Sequence, residues 1–234
     1  MKITLEHLSL KYGTNTVVKF DPTGSKVLMV IGHHPDAALG PIASPKGPNA
    51  PAEKYTLCRP TDVAWDMQDN IFISDGYCNN RVVKLPAGGG TQVVLGFTGL
   101  SIPDSVAVDS SRNVFVSDSG NDRVVELPVG GGPQVVLPFT GINGGGVAVD
   151  SSGNVYLADI INSNVVELAA GGGAQVTLAA TGLYRPFGMS VDRSGYLYIA
   201  DTWNHRVVKL DRTPAALRVT TNPAVPADIT VDGV

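Results

Sequence analysis

The sequence predicts an all-β fold: a propeller of five four-stranded blades forming one domain over residues 1–234. Three observations carry that expectation. The first is a repeat. PTDVAWD ends at Asp66, PDSVAVD at Asp109, GGGVAVD at Asp150, PFGMSVD at Asp192 and PADITVD at Asp232, a period close to 42 residues. The second is the order of segments inside each unit. NIFISD, NVFVSD, NVYLAD and YLYIAD follow the first four copies, and RVVKL, RVVEL, NVVEL and RVVKL follow those. Three units then pass through GGG into TQVVLGF, PQVVLPF and AQVTLAA. The third is the fit between the two ends. The chain closes on a lone first-strand motif and opens on what reads as strands two, three and four.

The elements follow in order. Each unit is four short runs rich in Val, Ile, Phe and Tyr, the residues that suit a pleated, half-buried surface. Gly-rich breaks between the runs suit tight hairpins. No segment carries a helical period. Residues 1–30 and 224–234 combine into one composite blade, which ties the ends together and hides sheet edges. Residues 31–57, rich in Pro, Gly and Ala, form a long loop. The continuous blades are 59–100, 103–142, 144–183 and 186–220.

Composition narrows the function. The net charge is −4, which argues against a nucleic-acid binder, because such a protein needs a basic footprint to displace counterions. No apolar run reaches the roughly 18–20 residues that span a bilayer. MKITLEHLSL is too short and polar for a secretory leader. No GxSxG, HExxH, CxxC or phosphate loop is present. The GGG triplets at 88–90, 130–132 and 171–173 precede strands, so they read as hairpin turns. The repeated acids Asp66, Asp109, Asp150, Asp192 and Asp232, and Asp75, Asp118, Asp159 and Asp201, read as acceptors for turn N–H groups. Of the four histidines, His7 falls in the composite blade, His33 and His34 in the long loop, and His205 in a solvent position of the TWNHR turn.

The pattern P-x-x-V-A-V-D, G-N-V-Y-V-x-D, N-x-R-V-V-K-L closely resembles the NHL repeat, and the resemblance covers nearly the whole chain. It implies an NHL-type propeller. Residues 103–183, with VVLPFTGI and the GGG hairpins, are similar to the sensor propellers of bacterial receptor serine/threonine kinases. Residues 14–85, with TNTVVKFDP, CRPTDVAWD and ISDGYCNNRVV, resemble peptidyl-α-hydroxyglycine α-amidating lyase. That likeness implies a disulfide between Cys58 and Cys78, and with it an extracellular or periplasmic protein. It also matches Tyr77 to a tyrosine near the lyase substrate, and Asp228 to an aspartate on a structural calcium, a hard cation suited to carboxylate and carbonyl ligands.

The resemblance fails at the metal. The lyase family holds zinc with three histidines placed just after the proline that opens strand one. Here those positions are Thr61, Asp104, Gly145, Phe187 and Ala227, and the family's arginine corresponds to Ser119. Zinc chemistry is therefore not expected, and calcium at Asp228 is the one cation the resemblance leaves. The non-repeating residues Arg59, Tyr77, Asp104, Tyr184, Arg185, Phe187 and Trp203 gather at the strand-one starts and the strand-two-to-three loops. Aromatics beside arginines suit recognition. The expectation is a non-catalytic ligand- or protein-binding or sensor propeller, with a peptide, protein or small extracellular ligand on that face. The competing expectation is a metal-dependent lyase or hydrolase using Tyr77.

Overall fold

The computed structural model describes residues 57–211, Gly89 excepted, together with the backbone of three strands before them. Those three, β1 (Leu8–Leu10), β2 (Asn15–Phe20) and β3 (Val27–His33), form an antiparallel sheet. Four further sheets follow. The first contains β4 (Asp62–Trp65), β5 (Ile71–Asp75), β6 (Arg81–Leu85) and β7 (Val93–Val94). The second contains β8 (Pro103–Val108), β9 (Val114–Asp118), β10 (Arg123–Leu127) and β11 (Val135–Val136). The third contains β12 (Val147–Val149), β13 (Val155–Asp159), β14 (Asn164–Leu168) and β15 (Val176–Thr177). The last contains β16 (Met189–Val191), β17 (Leu197–Asp201) and β18 (Arg206–Leu210). In every sheet each strand pairs with its sequence neighbour, which is the meander of a propeller blade. The closing strand expected at 224–234 lies outside the described residues.

The core lies between successive sheets. Phe72 and Val82 of one blade pack with Val106, Val114, Val116 and Val125 of the next. Phe115 and Val124 meet Val147, Leu157 and Val166. Tyr156 and Val165 meet Leu197 and Ile199. Strand two is therefore covered on both faces; all five residues of β5, β9 and β13 are buried. This is why these strands read as nearly continuous apolar runs instead of alternating ones.

Polar contacts fix the angle between blades. Gln134 brackets Thr98 of the preceding blade, accepting from its N–H (2.9 Å) and donating to its carbonyl (3.0 Å). Gln175 does the same to Thr140. Along the axis, the Thr61 hydroxyl donates to the Pro103 carbonyl (2.7 Å), Ser105 donates to Asp62 (2.6 Å) and accepts from Val147 N–H (3.1 Å), and Gly146 N–H donates to the Phe187 carbonyl (2.6 Å).

Three expectations change in detail. β3 continues to His33, because Ile31, Gly32 and His33 extend the ladder against Val17, Thr16 and Asn15; His33 is a strand residue and not part of a loop. Leu57, at the far end of the expected loop, is buried in the core beside Ile71, Ile73 and Val83. In the three four-stranded sheets the outermost strand, β7, β11 or β15, shrinks to two residues. Residues 34–56 and 212–234 lie outside the described residues, and with them His34, Ala227 and Asp228.

Candidate functional site

One end of the sheets gathers the starts of the inner strands and the loops joining strands two and three. Its framework repeats. Asp75 accepts from Cys58 N–H (2.7 Å), Asn79 Nδ2 (2.6 Å) and Arg81 Nε (3.0 Å). Asp118 accepts from Ser101 N–H, Asn121 and Arg123, and Asp201 from Tyr184 N–H, Asn204 and Arg206, with matching geometry. The repeated N-x-R in the sequence is thus the pair of donors for the aspartate that ends strand two. Those aspartates, and Asp66, Asp109, Asp150 and Asp192 at the other end, accept turn N–H groups as expected.

The loop between strands two and three folds into a single turn each time: α1 (Gly76–Asn79) in the first blade, and 3₁₀ turns at Ser119–Asn121 and Thr202–Asn204. The residue after this Asn is left-handed in all four blades: Asn80, Asp122, Ser163 and His205 have φ of 47°, 49°, 54° and 52°. The position is not merely solvated. Asn80 Oδ1 accepts from Ile102 N–H (2.9 Å) and the Ser163 hydroxyl from Arg185 N–H (3.2 Å), each reaching the next blade. The receiving residues, Ile102 and Arg185, are themselves left-handed and precede a proline, as Arg59 does. The side chain at this point is exposed in all three blades; two of the three are arginines.

The residues expected on this face divide into three groups. Tyr184, Arg185 and Trp203 come together: the Arg185 guanidinium lies 4.8 Å from the Trp203 ring centre, and Tyr184 meets Trp203 edge-on at 5.5 Å. Trp203 is 55% and Tyr184 49% exposed. Arg59 and Tyr77 are exposed on the first blade, flanking the disulfide that joins Cys58 to Cys78, whose Cα atoms are 5.5 Å apart. Asp104 and Phe187 instead turn inward. Phe187 is half-buried. Asp104 is buried; Ser119 bonds to its carboxylate, but Oδ1 has no hydrogen-bond partner. Burial pushes its carboxyl up from the ordinary 3.8, with Ser119 offsetting only part. Asp62, one blade earlier, is also raised by burial despite bonds from Ser105, Val63 and Val106.

The residues in the strand-one positions do not fit zinc. The Thr61 hydroxyl is occupied by Ser74 and Pro103. Gly145 offers no donor, and a Cβ there would strike the Ala158 carbonyl. Phe187 is apolar, leaving a single carboxylate where three neutral imidazoles would be needed. Among the described residues no group of three or more His, Cys, Asp or Glu side chains is placed to hold a metal. Among them, too, no helix is long and apolar enough to cross a membrane.

Comparison with known proteins agrees with this architecture. A family model describing the NHL repeat matches residues 183–210. Over 78 residues, 33% of the chain, the sequence is 33% identical to a probable peptidyl-alpha-hydroxyglycine alpha-amidating lyase of Caenorhabditis elegans, of which that stretch is 18%. Over 71 residues, 30% of the chain, it is 37% identical to peptidyl-alpha-hydroxyglycine alpha-amidating lyase 2 of Drosophila melanogaster, of which that stretch is 14%. The matched segments thus span less than a fifth of either relative. Among solved structures, the nidogen/laminin complex superposes with a TM-score of 0.60 at 23% identity, covering 68% of this chain and 63% of that one. Virginiamycin B lyase from Staphylococcus aureus gives 0.59 at 9% identity, covering 92% and 69%. At such identities the likeness is one of fold. The chain is an all-β propeller of NHL-repeat type.

Proposed function

We propose that this propeller is a non-catalytic recognition module that binds a peptide or protein on the end carrying Arg59, Tyr77, Tyr184, Arg185 and Trp203, and that it works outside the cytosol. The observation that carries the reading is the exposed Tyr184–Arg185–Trp203 cluster. Tyr, Trp and Arg are the side chains that dominate binding hot spots. The backbone beneath them supports the same view. Left-handed conformation at Arg59 and Arg185 costs energy, and such strain concentrates where side chains must be presented in one direction. Asp104, buried with an unsatisfied oxygen at the inner-strand start, adds a carboxylate whose retention lowers stability. The Cys58–Cys78 disulfide supports the compartment, since such bonds persist in oxidising surroundings.

The test is selection from a displayed library of random dodecapeptides on the intact protein, followed by titration of the enriched peptides. Trp203→Ala and Arg185→Ala are expected to weaken binding at least about tenfold, or roughly 1.4 kcal/mol, without lowering the melting temperature. Equal binding by both variants would place recognition elsewhere.

A second reading, a lyase, is favoured by the local identity to two amidating lyases. It requires turnover of a peptidyl-α-hydroxyglycine that Tyr77→Phe abolishes. The lack of fit to zinc weighs against it.

A further inference from the structure

At the opposite end of the sheets, between the second and third continuous blades, lies a cavity of about 430 Å³. Its walls include Phe115, Leu137 and Leu168, the serine-bearing turns, and two carboxylates, Asp109 and Glu126. The repeats show what chemistry this place accommodates. Glu126 stands directly across from Phe115 on the neighbouring strand. The same register pairs Lys84 with Phe72 and Lys209 with Tyr198. There the cation rests on the rings: Lys84 Nζ is 5.5 Å from the Phe72 centroid, and Lys209 Nζ is 3.5 Å from Tyr196 and 5.6 Å from Tyr198. In the second and third blades the ring is kept while the cation is replaced by a carboxylate, Glu126 across from Phe115 and Glu167 across from Tyr156; of these two only Glu126 lines the cavity.

The carboxylates here are also the least satisfied of their kind. Asp66 accepts from Gln68 N–H and from both nitrogens of Asn70. Asp150 accepts from Ser152 N–H, Asn154 and the Tyr156 hydroxyl. Asp109 accepts only from the N–H and side chain of Asn113, because Phe115 lacks the hydroxyl that Tyr156 supplies. The Glu126 carboxylate makes no hydrogen bond or ion pair among the described residues. Burial, and then the neighbouring Asp109 charge, raise its carboxyl above the ordinary value.

We propose that this cavity binds a primary alkylammonium group, the end of a lysine side chain on a partner peptide, with the ammonium between Glu126, Asp109 and the Phe115 ring and the methylene stem along Leu137 and Leu168. An ammonium is attracted to a ring face and to paired carboxylates together, and its stem needs apolar walls. Such a site is separate from the Arg185–Trp203 face and does not rest on its function.

The probes are Nα-acetyl-lysine methylamide and its norleucine counterpart, titrated into the full chain and followed by NMR shifts. The lysine amide is expected to bind in the millimolar range and the norleucine amide at least about tenfold more weakly. Glu126→Gln should weaken lysine binding severalfold, and Glu126→Lys should abolish it by supplying the cation internally, as Lys84 does. Glu167→Gln, one blade on and outside the cavity lining, should leave it unchanged. Equal binding of the two amides, or lysine binding that Glu126→Gln leaves unchanged, would overturn the proposal. Should Glu126→Lys fail to fold, the isosteric Glu126→Gln decides alone.

Discussion

Asp104 is where a single residue conflicts most plainly with stability. A carboxylate buried with one oxygen unpartnered favours its protonated form. Its folded-state titration is raised above 3.8, so between that ordinary value and the raised one the native state holds more protons than the unfolded chain. Stability therefore falls as pH rises through that window. Asp104→Asn keeps the shape and removes the charge. It is expected to raise stability at pH 7 by about 1 kcal/mol. In thermal melts at several pH values, that gain should shrink as the pH drops towards 4 and vanish below it. A variant less stable than the parent at pH 7, or a gain independent of pH, would show that the carboxylate is satisfied. The sequence made this position conspicuous, because PDSVAVD puts an acid where its siblings have Thr61, Gly145 and Phe187. It did not reveal the burial, which depends on how closely the inner strands converge. Phe187 shows the same limit: its residue type suits a binding face, but its neighbours half-cover it.

Within the strand-two-to-three turn, one ion pair recurs at three depths. Arg81, Arg123 and Arg206 each bond the aspartate that ends strand two, with side-chain exposures of 5%, 26% and 50%. Distance alone would rank Arg81 weakest, at 3.0 Å against 2.7 Å for the others. Burial reverses that order, because deleting one partner of a buried pair leaves an uncompensated charge. Arg81→Ala is expected to cost about 3–5 kcal/mol, Arg206→Ala less than about 1 kcal/mol, and Arg123→Ala a value between them. Urea midpoints of the three variants check the order; equal shifts would contradict it. The disulfide acts on the same element. Opening a 20-residue closure by Cys58→Ser with Cys78→Ser is expected to cost roughly 3 kcal/mol in the loop-entropy account, read as a drop in melting temperature that reducing agent reproduces in the parent. These turns were readable from the N-x-R that recurs in three blades and the aspartates that end strands one and two in every continuous blade. What the letters could not show is that Asn80 and Ser163 reach into the following blade, because that contact joins residues 22 positions apart. The repeated Gln134 and Gln175 were equally visible, yet their clasp on the preceding blade emerges only when two sheets are placed side by side.

Across the whole molecule, the architecture was legible because every blade carries the same strand order, and the core forms between blades from residues that repeat with it. Function was legible only where the blades differ. The exposed Arg185–Trp203 pair and the inward Asp104 break the repeat at one end, and at the other Glu126 and Glu167 stand where Lys84 and Lys209 stand in the outer blades. The proposed recognition role rests on the aromatic–arginine cluster exposed at one end of the propeller. Binding of a library-selected peptide to the parent protein and to Trp203→Ala tests this most directly, with Trp203 emission, taken as the difference between the parent and the variant that keeps only Trp65, as an internal reporter. The account predicts saturable binding that perturbs Trp203 emission and weakens at least about tenfold in the variant. Enriched peptides that bind parent and variant alike, with no change in Trp203 emission, would contradict it.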